Sequence, residues 1–162
     1  MIPPTLSLYC DGSAHDVRGQ AGGWAFAIIE EGSCRLARSG GLRVTDNNTM
    51  ELRAAVAALT LVLERGWQRS FAIELVSDSR VTLEVALGTR TPVKSAELAR
   101  SLRSAFLECE AVVRWVRAHS GEPWNEYVDA LAHQAKERLV PPGVKEKRAS
   151  RRLARQAAGR KH

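Results

Sequence analysis

Four acids stand apart in this chain because none has a packing reason to be where it is. Asp11 lies in LSLYCDGS, Glu51 in TDNNTMEL, Asp78 in ELVSDSR and Asp129 in HSGEPWNEYVDALAH. Three of these settings are ends of apolar runs or starts of helices. Carboxylates brought together from separate segments repel one another unless a cation joins them. Hard oxygen ligands of this kind suit magnesium, with manganese as a substitute. Two such ions about 4 Å apart serve in-line phosphodiester hydrolysis.

Each acid also has an ordinary reading. Asp11 could be a turn residue holding its own backbone. Glu51 sits in the first turn of a helix, where an acid favours the dipole or completes a capping box. Asp78 could cap the helix that follows it. Asp129 could be a solvated helix acid, and His119, after a strand, a surface residue. Taken singly these readings compete well; four acids in four such settings favour a shared cation.

The elements that would hold these residues follow from periodicity and punctuation. Residues 5–10 (TLSLYC) read as a strand, with Leu6, Leu8 and Cys10 on one face and Thr5, Ser7 and Tyr9 on the other. Residues 14–22 read as a loop. Residues 23–29 and 34–42 read as two further strands joined by a Glu31-Gly32 turn. Asn47, Asn48 and Thr49 are candidate caps for a helix over 50–65 that Gly66 stops. Residues 71–76 are a fourth strand and 79–87 a short helix ended by Gly88. Residues 95–108 are a helix, 111–117 a fifth strand and 124–139 a last helix. Pro141-Pro142-Gly143 closes the domain, so 1–143 is the globular unit. A strand–helix–strand crossover needs a parallel neighbour, so the expected architecture is α/β, a mixed sheet with helices on both faces.

The motifs resemble the type 1 ribonuclease H family, which cuts the RNA strand of RNA–DNA hybrids. Asp11-Gly12-Ser13 follows the first strand, Thr45-Asp46-Asn47-Asn48-Thr49-Met50-Glu51-Leu52 opens the first helix, and Asp78-Ser79 follows the fourth strand. His119 is followed by Asn125 six residues on and Asp129 ten residues on. The match runs from about Leu6 to about Arg138. It implies a ribonuclease H-like fold with a five-stranded sheet, and two magnesium ions held by Asp11, Glu51, Asp78 and Asp129. One ion would activate water and the other would stabilise the leaving 3′ oxygen, leaving 5′-phosphate and 3′-hydroxyl ends. The resemblance implies catalysis by those four acids together with His119, which assists proton transfer and product departure. It places Asn47 and Asn48 in the minor groove of the hybrid, near the ribose whose 2′-OH tells RNA from DNA. Gly12, Ser13, Ser79, Arg80 and Asn125 complete the substrate-facing set, Asn125 holding the His119 loop. A monomer is the expected state.

Three departures stand out. Arg80 replaces the Gln common in the family. Asp46 stands where a small hydroxyl residue contributes to a pocket for the DNA-strand phosphate. A carboxylate is unfavourable there, so it either points away or is offset by a base such as Arg18. Between the helices that flank it, ALGTRTPVK replaces the extra helix and basic protrusion of many bacterial members.

Charge and composition fit a nucleic-acid enzyme. The chain has 162 residues, 44% apolar and 26% charged, in the range of an ordinary folded domain. Eight of its 24 Lys/Arg and one of its 18 Asp/Glu fall in 144–162. That segment therefore carries +7 and the remainder −1. The basic segment reads as a tail that is disordered, or helical on contact with nucleic acid, that seeks phosphate and that substitutes for the missing protrusion. No apolar run approaches bilayer length, and no basic region precedes the first apolar stretch, so neither a membrane helix nor a secretion signal is expected. Cys10, Cys34 and Cys109 lack metal-type spacing and read as reduced thiols of a cytoplasmic protein. A DNA-cutting relative on the same fold is opposed by the Asn47-Asn48 pair and the His119 loop. A non-catalytic reader is opposed by the presence of all four acids.

Overall fold

The computed structural model describes residues 1–15 and 20–158. The first three strands form an antiparallel meander. They are β1 (Thr5–Ala14), β2 (Gln20–Glu30) and β3 (Ser33–Thr45). Glu31 and Gly32 turn the second hairpin, both at positive φ, as a two-residue connection between twisted strands requires. Helix α1 (Asn47–Arg65) follows, then β4 (Ala72–Ser77), α2 (Arg80–Leu87), α3 (Ala96–Glu108), β5 (Val112–Trp115), α4 (Pro123–Arg138) and α5 (Pro142–Ala158). Strand order is β3-β2-β1-β4-β5. β4 pairs parallel with both β1 and β5, so the sheet is mixed, as the crossover argument requires.

Alternation along β1 separates the two faces. Leu6, Leu8 and Cys10 pack with Phe26, Ile28, Leu52, Leu59, Leu75 and Leu102 in the larger core beneath α1 and α3. Tyr9 joins Ala25, Ala27, Ile29, Val76, Val128 and Ala132 beneath α4. The small residues on β2 let α4 approach closely. A Cβ on Gly23 would lie 2.0 Å from the Ala132 carbonyl oxygen.

Several element ends differ from the sequence reading. β1 runs through the Asp-Gly turn to Ala14, because Asp11, Gly12 and Ser13 keep pairing with Ala25, Trp24 and Gly23. The cap of α1 is Asp46, not Asn47, Asn48 or Thr49: its Oδ1 accepts the Thr49 amide at 2.9 Å and its Oδ2 the Thr49 hydroxyl at 2.9 Å. Asp46 thus turns into its own helix, and Arg18, the alternative partner, lies outside the described residues. Residues 88–95 link α2 to α3 with no helix between them, in line with a missing protrusion.

The largest difference is at the C-terminus. Composition reads 144–162 as disordered or helical on contact with nucleic acid; α5 is helical to Ala158, and 159–162 lie outside the described residues. Ala, Arg, Lys and Gln are strong helix formers, so local propensity favours a helix here. Among the described residues no helix is long and apolar enough to cross a membrane.

Candidate active site

Asp11 enters the site from β1, Glu51 from the second turn of α1, one turn later than a helix starting at Met50 would place it, and Asp78 from the residue after β4. One carboxylate oxygen from each lies within 4.8 Å of the others. Asp11 and Glu51 are buried and Asp78 half-buried. The approach of β1 to α1 creates this closeness. A Cβ on Gly12 would lie 2.4 Å from the Glu51 amide nitrogen and 2.6 Å from the Met50 carbonyl carbon. Only glycine lets the two backbones meet there.

Burial, then the charge of Asp78, raises the Asp11 pKa from 3.8 to about 7. Burial and the charge of Asp11 push Glu51 well above the ordinary carboxylate range. The Gly12 amide, donating to Asp11 Oδ1 at 2.9 Å, offsets this only partly. Oε2 of Glu51 is buried with no hydrogen-bond partner. A buried acceptor without a donor costs about 1–3 kcal/mol, and a cation shared by the three acids removes both that cost and their repulsion. The donor set, all carboxylate oxygen, fits a divalent hard ion.

Asp129, on α4, is half-buried and acts on Asp11 through its charge. It stays outside the tight group of three. Asp78 is held from two sides. Asn125, buried in α4, donates from Nδ2 to Asp78 Oδ2 at 3.0 Å. Trp115, ending β5, donates from Nε1 to the Asp78 carbonyl at 3.1 Å. Asn125 therefore bears on a site acid directly, a stronger position than a loop support. Ser79 caps α2 by accepting the Thr82 amide at 3.2 Å.

The remaining residues ring this centre. Arg80 is exposed and lies over the Trp115 ring, 4.3 Å from its centroid. Asn47 and Asn48 are exposed at the start of α1, Asn47 Oδ1 accepting the Ala14 amide at 3.1 Å. Ser13 is half-buried on β1. His119 is exposed with φ +52. The loop it opens is fixed at its far end, where Glu122 caps α4 by accepting the Asn125 amide at 2.7 Å. Trp124 packs against the smaller core and meets Tyr127 edge-on at 5.6 Å.

Sequence reasoning passed over Trp115, Glu122 and Tyr9. Trp115 reads as one more strand aromatic. Its indole N–H, at the last residue of the strand, is a local hint. Tyr9 OH donates to Glu122 Oε1 at 2.9 Å across 113 positions of sequence, a pairing that no local pattern foretells.

A mixed sheet in this order, with acids on β1, just after β4 and in the second turn of α1, defines a ribonuclease H-like α/β fold. Comparison with known proteins agrees at the level of family. The RNase H family model matches residues 3–137. Ribonuclease HI of Caulobacter vibrioides is 34% identical over 86% of this chain and 98% of its own length. Ribonuclease H of Polynucleobacter asymbioticus is 30% identical over 85% and 94%. LC11-RNase H1, isolated from compost, shares the fold with a TM-score of 0.71 at 20% identity, covering 83% of this chain and 97% of that one. The same protein has also been solved in complex with an RNA/DNA hybrid (TM-score 0.69, 19% identity, covering 83% and 98%). The chain belongs to the ribonuclease H family and is an endoribonuclease.

Proposed function

We propose that this enzyme hydrolyses the RNA strand of RNA–DNA hybrids, using two magnesium ions held by Asp11, Glu51, Asp78 and Asp129. The observation that carries the reading is the meeting of three carboxylates within 4.8 Å, with one buried oxygen left unpaired. Bound there, magnesium supplies the charge that lowers the pKa of an attacking water and offsets the charge on the departing 3′ oxygen.

The chain's own residues do the rest. Asp11 and Glu51, both pushed toward the protonated form by burial, give up protons as they take a cation. Asn125 and Trp115 keep Asp78 aimed at its partners. Asn47 and Asn48, beside Glu51 on an exposed helix start, present amides to a ribose 2′-OH. Asp46 is committed to its cap, so the phosphate of the DNA strand must find other donors. Arg80, spread on the Trp115 ring, offers a planar guanidinium suited to a phosphate. His119 moves a proton to the departing 3′ oxygen from its exposed loop, and the products carry 5′-phosphate and 3′-hydroxyl ends.

The test compares the wild type with Asp11→Asn on a labelled hybrid, with magnesium, with manganese and with chelator. RNA–RNA and DNA–DNA duplexes run alongside. Cutting confined to the RNA strand of the hybrid, dependent on metal and lost in the variant, is expected. Binding without cutting under every metal would make the protein a non-catalytic reader.

A further inference from the structure

Helix α5 is left over once the nuclease body is accounted for. It contributes no residue to the acid site, and its described side chains from Lys145 to Gln156 are all exposed. It is joined to α4 through Leu139–Pro141. At 17 residues it is about 25 Å long.

Its charges are sorted. At about 100° per residue, Lys145, Lys147, Arg151, Arg152 and Arg155 fall within an arc of about 160°. Ala149, Ser150 and Leu153 occupy the other side. A helix built only for solubility has no reason to segregate its cations. Lipid insertion needs a wide apolar face with several large side chains; Leu153 is the one large apolar residue described there, and it is exposed. The arc instead presents five cations along about 15 Å of axis. A nucleic-acid duplex presents one phosphate charge for about every 1.7 Å of its own axis. Residues 1–143 carry a net −1 and offer no overall attraction to a polyanion, so the whole long-range pull resides in the C-terminal segment.

Resting on the reading of the body as a nuclease, we propose that α5 is a separate phosphate-backbone arm. It binds any duplex, hybrid or not, through its cationic arc. It supplies affinity and leaves the choice of strand to the body. The arm therefore raises the share of enzyme resident on nucleic acid without changing turnover once substrate is bound.

The test uses the full chain in chelator, so that binding is read without cutting. In one variant Lys145, Lys147, Arg151, Arg152 and Arg155 are all changed to Gln, which keeps helix propensity. In a second the three arginines become Lys, which keeps charge. The Gln variant should bind hybrid and all-DNA duplex at least about tenfold more weakly at low salt. Its plot of log affinity against log salt should be shallower by about four. The Lys variant should keep the wild-type slope, and kcat on saturating hybrid with magnesium should be the same in all three. Unchanged affinity and slope in the Gln variant would overturn the proposal. So would a loss confined to the hybrid, or equally tight binding of wild type to vesicles of anionic lipid. A wild type that binds duplexes through the arc yet never cuts a hybrid would remove the nuclease reading and leave the arm standing.

Discussion

A methyl group on Gly12 has nowhere to go, since its nearest neighbours are backbone atoms of Glu51 and Met50. The Asp-Gly-Ser motif looks like a turn in sequence, but its glycine serves a close approach of strand to helix. Gly12→Ala should therefore push the first turn of α1 away from β1 and spread the acids. Activity should fall at least about a hundredfold, because misplacement by about 1 Å already costs that much. Steady-state rates beside thermal unfolding check this; near-normal activity would mean that α1 can shift without moving Glu51. Asn125 makes the complementary case. Its Nδ2 is the hydrogen-bond donor to the Asp78 side chain, and groups that orient metal ligands typically contribute 10- to 100-fold in affinity or activity. Asn125→Ala should weaken magnesium binding by about that factor, measured by calorimetry, while Asn125→Asp should be worse because it adds a like charge beside Asp78. At this scale the residue types and their settings were legible in sequence. The reason for each neighbour was not, because contacts such as Gly12 with Glu51 appear only when two elements meet.

Between elements, a polar ladder ties the sheet to the start of α4. Ser7 Oγ donates to Glu74 Oε2 at 2.9 Å, and Arg114 Nε donates to Glu74 Oε1 at 3.0 Å. Arg114 Nη2 also donates to Tyr9 OH at 3.0 Å, and Tyr9 OH donates to Glu122 Oε1. Glu122 then caps the helix that carries Asn125. The ladder crosses β1, β4 and β5, neighbours only because of the parallel crossovers. Periodicity locates each strand and says nothing of which strands lie side by side, so the apolar alternation was readable and this ladder was not. Helix ends were misread for a related reason. Asn47, Asn48, Thr49 and Asp46 are all good caps by type, and the winner depends on where β3 stops. Tyr9→Phe keeps the ring in the smaller core but removes the hydroxyl that joins Arg114 to Glu122. A loss of about 1 kcal/mol is expected, at the lower end for bonds to charged groups because Arg114 is partly exposed. The loss should appear as faster amide exchange at the N-terminus of α4 and a lower kcat. Protection lost evenly over the whole molecule would show that the ladder serves the sheet and not the helix start.

For the molecule as a whole, the acid site is a source of instability that a bound cation would relieve. Asp11 is raised from 3.8 to about 7 by burial and by Asp78, and Glu51 is raised in the same direction. The folded state therefore holds protons that the unfolded chain has already released. Stability from this source is complete below about pH 4 and is lost as pH rises through about 7. At about 1.4 kcal/mol per pKa unit, a rise of this size at Asp11 corresponds to a loss on the order of 4 kcal/mol, shared with Glu51 beside it. In chelator the melting temperature should thus be lower at pH 8 than at pH 6. Magnesium should restore it at pH 8, by an amount that grows with concentration because it binds the folded state alone. Asp11→Asn should melt higher than wild type at pH 8 in chelator, with a flatter pH profile and little response to magnesium. A variant that follows the wild-type pH slope would mean that the site's repulsion is already relieved within the protein, and that Glu51 Oε2 is satisfied by a hydrogen-bond donor and not by a cation.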